Sequence, residues 1–195
     1  NGEIQKAVTI RIKGNQISEI TKGYANPNKN DAVVNLKQSY VLPGFMDMHV
    51  HLTFEYAPKA ERELSVEPEF SSLFAANAAS KTLMAGFTSV RNVGDDGMET
   101  ISLRKAIDRK LVKGPRIFTS GKTIATTGGH GDPTNGMSKD DYMPPTPEDG
   151  VIDNADDARK AVRQRYKDGA DGIKITSTGG VLSVAKSGDN PQFTD

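Results

Sequence analysis

The chain has 195 residues, and its 25 Lys and Arg balance 25 Asp and Glu, so the formal net charge is zero. That balance, without a basic stripe, argues against a nucleic-acid binder that works by electrostatic footprint. The absence of cysteine excludes disulfides, thiolate metal sites and thiol nucleophiles.

Hydrophobic residues make up 35% of the chain, low for a self-sufficient core of this length. No run approaches the roughly 18 apolar residues of a membrane helix, so no membrane partner is expected. The N-terminal NGEIQKAVTI lacks signal-peptide architecture. The compartment stays open: cytoplasmic, or periplasmic if a signal was removed ahead of Asn1.

Residues 1–42 read as β structure. Ala7–Ile12 and Gln16–Ile20 alternate, with Gly14-Asn15 between them, which is a hairpin signal. Residues 24–31 are a loop by composition. Ala32–Leu36 and Ser39–Leu42 read as short extended pieces. About 40 residues bury little alone, so this part of a small β-domain must be completed by another segment.

The next stretch, Leu42–Leu52 (LPGFMDMHVHL), holds two of the three histidines. An apolar run bounded by Pro43 and Gly44 reads as a buried strand. Alternate strand residues share a face, so His49 and His51 point the same way, and Met48, Val50 and Leu52 point into packing. Two such imidazoles suit one metal ion, or are simply two hydrogen-bonded buried histidines.

After an irregular, polar stretch over 53–68, Glu69–Ala85 carries Phe70, Leu73, Phe74, Ala78 and Leu83 at helical spacing, stopped by Gly86. Phe87–Val93 alternates as a strand. Thr100–Val112 is a second amphipathic helix, ended by Gly114-Pro115, and Arg116–Thr119 is a third strand. Residues 121–150 form a long loop rich in Gly, Thr, Pro and Asp, of the kind that is functional or disordered. Asn154–Lys167 is a helix with Asn154 as N-cap and Gly169 at its exit. Asp171–Ser177 (DGIKITS) reads as a fourth strand, followed by a Gly/Ser/Asn-rich loop. Parallel βα units with long loops after the strands are the habit of a (β/α)8 TIM barrel. The chain therefore reads as part of a small β-sandwich over 1–42, then the first four βα units of a barrel over 43–195. A complete four-stranded α/β sheet is the alternative.

Lys174 lies between Ile173 and Ile175. A lysine inside a buried strand must pair, shift its pKa, be modified or snorkel outward. His130, in TTGGHGDPTNG, is flanked by glycines that let backbone approach a ligand. It is a candidate substrate contact or acid/base group, or an ordinary loop histidine. Asp95 and Asp132 are candidate supporting carboxylates or turn residues. Gly179-Gly180 is a candidate oxygen-binding turn. Arg91 is a candidate carboxylate binder or core ion pair.

Taken together, PGFMDMHVHL, GFTSVRNVGD, GPRIFTSGKTIATTGGHGDPTNG and YKDGADGIKITSTGG resemble the amidohydrolase superfamily. Within it they are similar to the imidazolonepropionase-like branch, which includes metal-dependent Xaa-Pro dipeptidases (prolidases). The resemblance implies a barrel hydrolase of amide bonds with two divalent metal ions, usually Zn2+. It implies His49 and His51 as metal ligands, Lys174 as a metal-bridging carbamate formed with CO2, and His130 near the substrate. It implies a small-molecule substrate, a dipeptide or a cyclic amide, and a homo-oligomer. Two further histidines and an aspartate of the family's site have no counterpart before Asp195, so the C-terminal half of the barrel is required. Residues 1–195 alone are not expected to fold stably or to turn over substrate. A cyclic-amide hydrolase is the alternative enzyme, a single-metal deaminase is less in keeping with Lys174, and a non-catalytic scaffold is the competing class.

Overall fold

The computed structural model describes residues 3–54, 67–180, 183 and 188–193. The chain divides into two compact units, Asn1–Pro43 and Gly44–Asp195.

In the first unit the alternating stretches form an antiparallel hairpin, β1 (Val8–Lys13) and β2 (Gln16–Lys22). Gly14 turns it with φ +64°, a backbone that favours glycine. A bulge falls between Arg11 and Ile12. The Thr9 hydroxyl donates to the Gly23 carbonyl at 2.7 Å and accepts from the Ala25 amide at 2.9 Å, folding the exit loop back on the hairpin. The expected extended pieces at 32–36 and 39–42 form no strand pairing, because no neighbouring backbone is there to pair with them. Ile12, Ile17 and Ile20 remain more than half exposed, so this hairpin has no apolar layer of its own within the unit.

The second unit is a parallel sheet with helices on one side. β3 (Phe45–Val50), β4 (Phe87–Asn92) and β5 (Arg116–Thr119) lie side by side in that order. The connecting helices are α1 (Pro68–Met84) and α2 (Glu99–Asp108), and α3 (Ala155–Asp168) follows β5. The barrel is not closed. Among the described residues no helix is long and apolar enough to cross a membrane.

Register explains the layering. Val90 and Ile117 are paired and both buried, in the core cluster with Leu52, Ala75, Ala79 and Leu103. The next pair, Arg91 and Phe118, points to the opposite side, where Phe118 is 47% exposed. Val50 and Leu52 pack as expected, but Met48 is half exposed, since β3 is an edge strand.

Helix α1 departs from its sequence pattern. Its fully buried positions are Ala75 and Ala79, whereas Phe70 and Leu73 face outward. Small side chains let the helix sit close to the sheet. Helix α2 ends at Asp108, earlier than Gly114 suggested, because Lys110 takes the left-handed turn at φ +60°. The amide of Leu111 then reaches the carbonyl of Ala106 at 2.9 Å, and that of Lys110 reaches Ile107 at 2.8 Å. Leu111, expected on the apolar face, is left exposed.

Helix α3 matches its signals. Asn154 accepts from the amides of Asp156 and Asp157, both at 3.0 Å, and Gly169 closes the C-terminus at φ +90°. The fourth strand does not form. Residues 171–176 make a single parallel bridge, Ile124 with Ile175, and Ile173 and Ile175 are 44% and 51% exposed. A ladder needs a partner along its length, and the segment has one only on the side of Ile124. The irregular stretch at 53–68 lies largely outside the described residues, as do parts of the last loop.

Asn154→Ala should lower stability by about 1 kcal/mol, the usual cost of losing an N-cap. Lys110→Gly should raise it by about 1 kcal/mol by relieving a left-handed β-carbon. Both are read as shifts of the chemical denaturation midpoint at constant m-value.

Candidate metal centre

The end of β3 places His49 and His51 as strand alternation requires. Their rings lie on one side with centroids 5.5 Å apart. His51 is half-buried beside Phe54, with ring centroids 5.2 Å apart, and its Nδ1 lies 3.4 Å from the Gly94 carbonyl oxygen. His49 is more exposed. Burial pushes the His51 imidazole below its ordinary pKa; the Gly94 contact opposes this, and the charges of His49, Lys174 and His130 add to it. The same electrostatic field therefore joins all four residues, although they come from three separate segments.

Beneath the histidines lies a buried polar network. Asn92, wholly buried at the end of β4, accepts from the Leu52 amide at 2.8 Å. Its Nδ2 donates to Asp95 Oδ1 at 2.8 Å and to the Gly94 carbonyl at 3.2 Å. The Thr100 hydroxyl donates to Asp95 Oδ2, and Thr119 Oγ1 lies 2.7 Å from Thr100 Oγ1. Asp95 also ties its amide to the Gly121 carbonyl at 3.1 Å. Strands β3, β4 and β5 and the first turn of α2 thus meet at one set of hydrogen bonds. Burial, with Glu99 nearby, pushes Asp95 up to about 6 despite the bonds from Thr100 and Asn92. Asn92, Thr100 and Thr119 were not singled out from sequence. An Asn at a strand end, two residues before Gly94 and three before Asp95, is the only signal they leave.

Lys174 is half-buried, not enclosed in a strand, which corrects the buried-strand expectation. Its backbone is fixed all the same. Its carbonyl accepts from the Ile124 amide at 2.8 Å, and the Thr176 amide donates to Ile124 at 3.0 Å. Asp171 anchors the start of the segment, accepting from the Thr119 amide at 2.9 Å and from Arg104.

His130 sits on a loop braced from within. Asp132 accepts from the amides of Gly128 at 2.7 Å and Thr134 at 2.9 Å, and from the Thr134 hydroxyl. Burial alone would raise the Asp132 carboxyl, but these three bonds outweigh it and hold it below the usual range. His130 Nδ1 lies 2.9 Å from the Ser183 hydroxyl, and its amide donates to Gln192 at 2.9 Å. Gly180 lies against its ring, 3.2 Å from where a β-carbon would stand. Arg91 is spent partly on the sheet, its Nε donating to the Met48 carbonyl at 2.7 Å.

Among the described residues, no group of three or more His, Cys, Asp or Glu converges as a metal site. A surface concavity away from these residues is lined by Thr146, Glu148, Lys160, Arg163 and neighbours.

A profile of the amidohydrolase family matches residues 40–195. The chain belongs to the amidohydrolase family. This amidohydrolase is 57% identical to a Xaa-Pro dipeptidase solved with methionine in its active site, with a TM-score of 0.91, covering 96% of the chain and 46% of the dipeptidase. A prolidase complexed with N-methylphosphonate-L-proline is 33% identical, with a TM-score of 0.77, over 94% of the chain and 45% of the prolidase. The ochratoxinase of Aspergillus niger is 30% identical over 167 residues, 78% of this chain and 33% of that protein. The chain thus spans less than half the length of these relatives. It is an amidohydrolase related to Xaa-Pro dipeptidases.

Asp95 carries a pH dependence. Its folded pKa, raised from 3.8 to about 6, means the native state holds the proton more tightly than the unfolded chain. Stability from this group is therefore full below pH 4 and declines as pH rises through 6, by about 3 kcal/mol in all. Asp95→Asn should flatten that decline, as measured by denaturation midpoints between pH 4 and 7.

Proposed function

We propose that the protein is a metal-dependent hydrolase of amide bonds acting on dipeptides, with Xaa-Pro dipeptides as its substrate class. The observation that carries this reading is the 57% identity, over nearly the whole chain, to a Xaa-Pro dipeptidase of the same backbone shape. The common side of His49 and His51, with Lys174 close enough to perturb His51, supports it.

On this reading His49 and His51 hold one metal ion through their imidazoles. The Lys174 amine, in its unprotonated form, would add to the carbon of CO2, an N–C bond forming as a C=O π bond opens and a nitrogen proton leaves, and the carbamate would offer one negative charge shared over two oxygens to the metal centre. When bound, divalent ions such as Zn2+ polarise the scissile carbonyl and supply a water acidic enough to be hydroxide near neutral pH. His130, held by Ser183 and Gln192, flanks the substrate.

Lys174→Ala tests the assignment in the full-length enzyme. It should cut metal content below about two ions per chain and reduce kcat/KM on Xaa-Pro dipeptides by at least about 100-fold. Full retention of metal and activity would remove Lys174 from the site.

A further inference from the structure

We infer that Asn92 is a positioning residue that fixes the tautomer and ring orientation of His51 through the Gly94 carbonyl. The inference rests on the reading of His51 as a metal ligand only where metal affinity is concerned.

The orientation of the Asn92 amide is not ambiguous. The Leu52 amide is a donor and needs an oxygen, while the Asp95 carboxylate and the Gly94 carbonyl are acceptors and need N–H groups. Only one of the two amide orientations satisfies all three. Asn92 is 0% exposed, so water cannot substitute for a lost partner.

This one side chain then grips His51 from both sides. Its oxygen holds the backbone immediately after His51, at Leu52. Its nitrogen holds the Gly94 carbonyl, whose oxygen lies 3.4 Å from His51 Nδ1. A carbonyl has no proton to give, so a hydrogen bond there requires Nδ1 to carry one. Nε2 is left with a free lone pair, the form an imidazole needs to bind a cation.

Gly94 makes the approach possible. A β-carbon on residue 94 would stand 3.1 Å from His51 Cε1 and 2.8 Å from Thr123 Oγ1. Any other residue forces the ring or the loop to shift. Asn92, Gly94 and His51 thus act as a relay; the Asn92 Nδ2 also donates to the Thr100 hydroxyl at 3.4 Å, so within this network Thr119 is the member without a bond to Asn92.

The test uses full-length protein and two readouts. The first is 15N NMR of the His51 imidazole in the metal-free protein. Wild type should show protonated Nδ1, and Asn92→Ser should show a tautomer mixture. The second is Zn2+ titration, where Asn92→Ser should weaken binding by about 10- to 100-fold. Thr119→Val disturbs the same buried network without removing a partner of Asn92, and should lower the melting temperature while leaving both readouts at wild-type values. Should Asn92→Ser fail to fold, the isosteric Asn92→Asp, which keeps an oxygen for the Leu52 amide and removes the N–H that holds the Gly94 carbonyl, decides by the same two readouts. Wild-type tautomer and Zn2+ affinity in the folded variants would overturn the relay. A shifted tautomer in a protein whose wild type binds no Zn2+ would sustain the relay and refute the metal reading.

Discussion

One buried amide organises the second unit. Asn92 ends the central strand of the sheet, and every hydrogen-bonding atom of its side chain is engaged. Leaving any one partner unpaired in that interior would cost about 1–3 kcal/mol, so the geometry is enforced by what surrounds it. Through Asp95, Thr100 and Thr119 the constraint spreads to the first turn of α2 and to β5. The strand ends are therefore locked in mutual register at the rim where the histidines stand. Below that rim the apolar cluster of Leu52, Val90, Leu103 and Ile117 supplies cohesion without setting register so sharply.

The remaining site residues are brought in by separate devices of the same kind. Asp171 ties β5, α2 and the segment leading to Lys174, with Arg104 also reaching the Gly169 carbonyl at the end of α3. His130 depends on Asp132 for the shape of its own loop and on Ser183 and Gln192 for its direction. In each case a carboxylate or amide gathers backbone N–H groups that a loop would otherwise leave unpaired. Lys174 and His130 lie outside the strands, in segments held by named backbone and side-chain hydrogen bonds.

Much of this was legible in the residues. Gly14, Gly86, Asn154 and Gly169 mark turns and caps because their chemistry is local, and the structure has them in those roles. The two-residue spacing of His49 and His51 is legible for the same reason, since strand alternation needs no partner to be read. The parts that failed depend on distant neighbours. Lys110 closes α2 in a conformation usually given to glycine, and no sequence signal marks a lysine for that role. The apolar run at Asp171–Ser177 has strand composition but meets backbone at only one point. Phe70 and Leu73 look like core by size, yet the close approach of α1 to the sheet selects Ala75 and Ala79. Asn92 was invisible because a buried amide reads like any strand-end polar residue until Leu52, Gly94, Asp95 and Thr100 are seen around it.

The long excursion from Thr126 to Gly150 is closed at its base. The amide of Ala125 bonds to the Gly150 carbonyl at 2.9 Å, and the amide of Ile152 returns to Ala125 at 2.9 Å. Ile124 and Ile152 on either side share a small apolar cluster with Ala161 of α3. The excursion thus hangs from a neck with its own core, independent of the one under α1 and α2. Such a neck makes the loop an exchangeable cassette: its length and tip can diverge among descendants while Ile124, Ile152 and the sheet stay as they are. The segment that carries His130 can then change in length without disturbing the strand end that carries the other two histidines.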